Sequence, residues 1–254
     1  MQLTGNTIFI TGSTSGIGRA MAEAFHKLGN QVIISGRRKP LLDEVTMANP
    51  GMAAIELDIS DPESIEEAAE RLVTDFPKLN VLVNNAGIMP FDDPSAPLND
   101  EIAQRIVTTN FLGPVRMSSA LIEHLKRQPR ATILYNSSVL AYVPLAGNAV
   151  YSASKAAIHS YAMSQRFMLR DTPVRVQEIA PPWVNTDLIY KGNDPRAMDL
   201  EDFIQETMRK LSGDDEEIIV DAILEVRANP GANEHAMVNA FNADMIENPI
   251  PVTA

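Results

Sequence analysis

A tyrosine and a lysine stand four residues apart in the stretch "AVYSASKAAIHSYAMSQRF", residues 149–167. Positions four apart on a helix share a face, so Tyr151 and Lys155 would be neighbours one turn apart. Two readings are open. The pair is an incidental polar patch on an amphipathic helix, or it is a proton-transfer site in which the phenol serves as acid or base. A free tyrosine titrates near pH ~10, and a neighbouring ammonium favours the phenolate and lowers that value. The spacing alone does not choose between the two.

A second stretch, "TGSTSGIGRA", carries Gly12, Gly16 and Gly18 directly after the apolar run "TIFIT". Glycines between a strand and a helix let the backbone come close to a pyrophosphate, and the helix start offers free N–H groups to it. The plain alternative is a tight turn. The position after a strand, at the opening of a helix, favours the phosphate. A third feature is the basic cluster Arg37, Arg38 and Lys39 in "SGRRKP", which is either a solvated turn or a phosphate site.

The runs "TIFIT", "QVIIS", "AAIEL", "NVLVN", "ATILYN" and "VRVQEI" read as short buried strands. Helical patterns alternate with them: "GIGRAMAEAFHKLG", "KPLLDEVTMA", "PESIEEAAERLVTDF", a long segment over 99–127, and the stretch around Tyr151. This βαβ alternation predicts a Rossmann-type doubly wound parallel sheet with helices on both faces, as a single α/β domain over residues 1–254. Pro114 should bend or restart the long helix. From Pro181 the pattern changes to a Pro-, Asn- and Asp-rich loop, followed by helical patterns in "DLEDFIQETMRKL", "DDEEIIVDAILEVRAN" and "NEHAMVNAFNADM". Residues 181–254 are therefore expected to form a substrate loop and a C-terminal helical extension.

Composition narrows the classes. The net charge of −12 makes nucleic acid and anionic membranes poor partners. No run approaches the length of a membrane span, and the N-terminus does not read as a signal peptide, so a cytoplasmic location is expected. With no cysteine there is no disulfide, thiolate metal site or cysteine nucleophile. His26, His124, His159 and His235 show no ligand spacing and read as surface or core residues, so no metal is expected.

The glycine spacing Thr-Gly-x-x-x-Gly-x-Gly resembles that of the short-chain dehydrogenase/reductase family. So do "NNAG" at 84–87, Asn110 in "TTNFLG", Ser138 thirteen residues before Tyr151, and the Tyr-x-x-x-Lys pair. The resemblance covers residues 4–188 and implies an NAD(P)-dependent oxidoreductase that interconverts a secondary alcohol and a ketone or aldehyde by hydride transfer. It implies Tyr151 as acid/base, Lys155 beside it and on the nicotinamide ribose, Ser138 on the substrate oxygen, and Asn110 positioning a water that links Lys155 to solvent. It also places Gly12, Ser13, Ser15, Gly16, Ile17, Gly18, Asp58, Ile59, Asn85, Ala86, Gly87, Pro181, Val184 and Thr186 at the cofactor.

Relatives that use NAD carry an acidic residue at the end of the second strand, to accept from the ribose hydroxyl. Gly36 stands there and Arg37 follows, which favours NADP, with Arg37 as main contact and Arg38 as second. Pro182 replaces the glycine usual after Pro181, so the loop should be stiffer. Trp183 is then either a packing residue or a wall of the substrate pocket, and Met89 lies near the expected cofactor face. This "APP" form and the C-terminal tail resemble a branch of the family found beside teichoic-acid D-alanylation genes. The final strand and glycine-rich tail that build the common tetramer are not expected. A homodimer through the helices at 99–127 and 149–170 is the preferred assembly. Two other functions stay open: a non-catalytic NADP-binding regulatory or scaffold module, and an epimerase or dehydratase. The latter uses the spacing Thr-Gly-x-x-Gly-x-x-Gly, which this chain lacks.

Overall fold

The computed structural model describes residues 1–189, 194–228 and 233–249. Seven strands alternate with helices: β1 Thr7–Ile10, α1 Gly16–Lys27, β2 Gln31–Gly36, α2 Lys39–Ala48, β3 Ala53–Glu56, α3 Pro62–Asp75 and β4 Leu79–Asn84. Then come α4 Asp100–Val107, a π-helical turn Thr108–Leu112, α5 Gly113–Lys126, β5 Ala131–Asn136, α6 Ala149–Leu169 and β6 Val174–Ile179. The chain continues through α7 Leu200–Leu211, β7 Glu217–Ile218, α8 Leu224–Arg227 and α9 Glu234–Glu247. All pairings are parallel, in the order β3-β2-β1-β4-β5-β6-β7. The order reverses between β1 and β4, and at such a switch point the strand ends leave an open crevice for a ligand.

The central strands are apolar at nearly every position because both faces of the sheet are covered. One core cluster holds Ile8, Ile10, Val32 and Ile34 against α1 and α7. The other holds Phe9, Ile33, Leu82 and Ile133 against α3, α5 and α6. Asp61 caps α3 by accepting from Glu63 N–H, with Pro62 in the first turn, and Asp199 caps α7 by accepting from two N–H groups. Among the described residues, no helix is long and apolar enough to cross a membrane.

Two expectations need correction. The pattern "DDEEIIVDAILEVRAN" does not form one helix; it gives β7, a short 3-10 turn and α8, and Asn229 lies outside the described residues. Glu217 and Ile218 pair with β6 and extend the sheet by a two-residue strand, followed by the buried Ile219 and Val220, so a short final strand is present after all. The segment 99–127 stays helical in backbone from α4 to α5, and a π-helical turn at Thr108–Leu112 places Pro114 in the first turn of α5. Residues 190–193 of the expected substrate loop and 250–254 of the C-terminal extension lie outside the described residues.

Candidate active site

The glycine turn between β1 and α1 is built by contacts that exclude side chains. Gly12 has φ +64°, and a Cβ there would lie 2.7 Å from Ala86 Cα. Gly16 also has positive φ, +54°. A Cβ on Gly18 would lie 2.3 Å from Asn85 Nδ2 and 2.5 Å from the Gly12 carbonyl oxygen. The neighbouring turn after β4 is locked to this one: Thr11 Oγ1 accepts from the N–H of Asn85 and of Ala86, both at 3.0 Å. Asn85 Nδ2 returns bonds to the Thr11 and Gly12 carbonyls. Gly18→Ala is expected to destabilise the fold by about 1–3 kcal/mol. Thermal melting checks this.

Every expected site residue except Ser13 and Asn110 lines one cleft of about 1300 Å³ at the C-terminal ends of the strands. Ser13 is fully buried instead. Its hydroxyl donates to the Ile10 carbonyl at 2.8 Å and accepts from Ser35 N–H at 2.9 Å, tying β1 to β2. Thr14, which the sequence did not single out, lines the cleft there. At the far rim, β2 ends on Gly36 as expected, and Arg37 and Arg38 stand exposed. Neither guanidinium has an ion-pair or hydrogen-bond partner among the described residues.

Asn110 sits in the π-helical turn, a distortion often found at functional sites. Its amide holds the chain after β4, where Oδ1 accepts from Ile88 N–H and Nδ2 donates to Ile88 O, each at 2.9 Å, and Nδ2 also donates to Ser154 Oγ of α6 at 3.3 Å.

Helix α6 brings Tyr151 and Lys155 to the cleft floor. Asp92 accepts from Val150 N–H at the helix start, and Asn148 Nδ2 donates to the Pro90 carbonyl, so the 88–92 segment fixes the end that carries Tyr151. Asp92 was not legible as a cap, because it lies 57 residues before the helix it serves. Tyr151 is only 5% exposed, packed with Ile106, Leu140 and Leu145. Burial pushes its phenol up to about 12, against a lowering hydrogen bond from Ser138. This corrects the expectation that the ammonium sets the phenol low. Lys155 Nζ lies 5.5 Å from the tyrosine ring centroid and is bound to the Asn136 carbonyl at 2.8 Å. Burial lowers Lys155 to about 8, and the charge of Glu178 opposes that. Tyr151 is thus a protonated phenol at neutral pH, suited to donate a proton to a developing alkoxide.

The opposite wall of the cleft is apolar. Met89, Leu140, Val143 and Trp183 contribute to it, and so do Phe241 and Met245 of α9. The Trp183 ring lies under the Arg196 guanidinium at 5.0 Å, and its carbonyl accepts from Met198 N–H, so it both packs and lines. Helix α9 is held here by Asn242, which accepts from Ala146 N–H and donates to the Pro144 carbonyl.

This sheet order, glycine turn and Ser–Tyr–Lys convergence define a dinucleotide-binding oxidoreductase fold. The profile of the short chain dehydrogenase family matches residues 6–196, and the chain belongs to that family. It is 39% identical over 229 residues to a Bacillus subtilis protein described as an uncharacterized oxidoreductase, DltE, covering 86% of this chain and 89% of that one. It is 36% identical to an NADPH-dependent 1-acyldihydroxyacetone phosphate reductase of Schizosaccharomyces pombe, covering 80% and 69%. In structure it resembles a short chain dehydrogenase from Burkholderia cenocepacia solved in complex with NADP, with a TM-score of 0.83, 25% identity, and 99% and 100% coverage.

Proposed function

We propose that the protein is an NADP(H)-dependent oxidoreductase that interconverts an alcohol and a ketone or aldehyde, with Tyr151 passing the proton. The observation that carries this reading is the meeting of Ser138, Tyr151 and Lys155 on one cleft floor whose other end is the glycine cradle. The cradle fits a dinucleotide, since Gly12, Gly16 and Gly18 line the cleft where α1 begins and its free N–H groups can meet a pyrophosphate. The guanidiniums of Arg37 and Arg38, unpaired among the described residues, fit a ribose phosphate. When bound, the nicotinamide supplies or takes up the hydride. The chain's residues do the rest. Ser138 directs a hydrogen bond at the reacting oxygen, Tyr151 gives or takes the proton, and Lys155 supports the phenolate once it forms. The relatives' dependence on NADPH is in keeping with this.

The apolar wall favours a carbonyl with a hydrophobic body. Phe241→Ala is expected to lower kcat/KM for an apolar ketone roughly 10- to 100-fold, with NADPH affinity unchanged. Steady-state kinetics over ketones of increasing chain length check this. A carbonyl panel with NADPH and NADH in parallel tests the reading itself. Absence of turnover on every carbonyl would favour a non-catalytic NADP-binding module instead.

We read the assembly as a homodimer through α4–α6, because Phe167 and Met168 are 64% and 73% exposed on α6. Phe167→Glu should then give monomers by size-exclusion chromatography with light scattering, whereas an unchanged elution mass would contradict that assembly.

A further inference from the structure

One turn beyond Lys155 on α6 stands His159. Its Nδ1 lies 2.7 Å from Glu178 Oε2, and Glu178 is a fully buried carboxylate in the middle layer of the sheet. The other oxygen, Glu178 Oε1, accepts the hydroxyl of Ser137, the residue directly before Ser138. One carboxylate therefore joins the strand end that carries Ser138 to the helix that carries Tyr151 and Lys155.

We propose that Glu178 is a positioning residue of the catalytic centre, clamping the Ser137–Ser138 end of β5 to α6 through His159, with its negative charge facing Lys155. The inference rests on the reading of Tyr151 and Lys155 given above.

The surrounding charges have a definite balance. Side-chain ligand atoms of His159, Glu178 and Glu217 lie within 4.8 Å of one another. Glu217 on β7 is held by Arg227 of α8, through Nε at 2.6 Å and a second nitrogen at 3.0 Å. Tyr142 lies between Arg227, at 4.9 Å, and His159, at 5.2 Å edge to face. Arg166 of α6 adds a more distant positive charge toward Glu217. With His159 protonated, the two carboxylates are matched by an imidazolium and a guanidinium. With His159 neutral, one buried negative charge is left, and Lys155 is the buried cation it acts on.

The direction of each shift agrees. The hydrogen bond that His159 donates to Glu178 is the main cause raising His159, with burial opposing it. A base raised in the folded state adds stability that is fully present below the unfolded value of ~6.5 and is lost as pH rises through the folded value. A metal ion is the poorer occupant of the cluster. It would have to displace the bidentate guanidinium from Glu217.

The test compares Glu178→Gln, which keeps shape and removes charge, with His159→Gln, on whichever panel ketone the wild-type protein reduces with NADPH. In Glu178→Gln the alkaline limb of kcat is expected to move to lower pH by roughly one unit, with ketone KM within about twofold of wild type. In His159→Gln that limb should not move down. In both variants the wild-type fall of melting temperature above pH ~6.5 should disappear. An unchanged limb in Glu178→Gln overturns the inference. So does an equal downward move in both variants, which marks a packing defect, and so does stoichiometric binding of Zn²⁺ or Mn²⁺ at the cluster by calorimetry. If Tyr151→Phe remains fully active, the underlying reading has failed. If Tyr151→Phe is inactive and Glu178→Gln keeps its profile, only this inference has failed.

Discussion

Tyr151→Phe is expected to lower kcat for carbonyl reduction by about 10²- to 10⁴-fold, the usual range for a general acid, while the protein melts and binds NADPH as before. The argument is one of subtraction. The ring packs against Ile106, Leu140 and Leu145, and phenylalanine keeps those contacts. Only the hydroxyl is lost, together with its hydrogen bond to Ser138. A phenol raised to about 12 by burial holds its proton at neutral pH, so wild-type reduction should be flat there. It should decline as pH rises through about 8, where Lys155 loses its charge. The variant should show no such limb. Kinetics, fluorescence titration of NADPH and thermal melting measured together separate a lost proton donor from a lost fold.

The second large effect concerns the cofactor. In the double variant Arg37→Ala/Arg38→Ala, Kd for NADPH is expected to rise about 10- to 100-fold, and Kd for NADH should stay within about twofold. A charge-assisted hydrogen bond to phosphate contributes about 1.5–3 kcal/mol, and about 1.4 kcal/mol is one decade in Kd. Both side chains are exposed and unpaired within the described residues, so their removal breaks no hydrogen bond or ion pair seen there. Gly36 is a poorer lever, because a Cβ there would stand 3.0 Å from Thr14 Cγ2. Equal losses for the two nucleotides would move the phosphate contact elsewhere.

The strands β1–β6 were legible because buried parallel strands must be apolar on both faces, and each run is short and β-branched. β7 was not. Its acidic lead-in at 214–217 reads as a helix start, while only two residues pair with β6. Tyr151 and Lys155 were legible because a single helix fixes their spacing. Glu178 passed unnoticed inside "VRVQEI", although a carboxylate in an otherwise buried strand needs a partner and could have been the signal. The family resemblance places Ser13 at the cofactor, but its hydroxyl turns to Ile10 and Ser35 instead, because the adjoining strand decides which way a side chain turns at a strand end. Phe241 and Met245 reach the cleft only through the docking of α9, and nothing local to that helix announces it.

The central claim is hydride transfer to a carbonyl with Tyr151 as proton donor. It is tested most directly with 4-deuterated NADPH and an apolar ketone, the product alcohol being analysed by mass spectrometry for wild type and Tyr151→Phe. The account predicts deuterium on the carbinol carbon in the wild-type product and near-complete loss of product in the variant. No deuterated alcohol from the wild type, or equal amounts from both proteins, would contradict it.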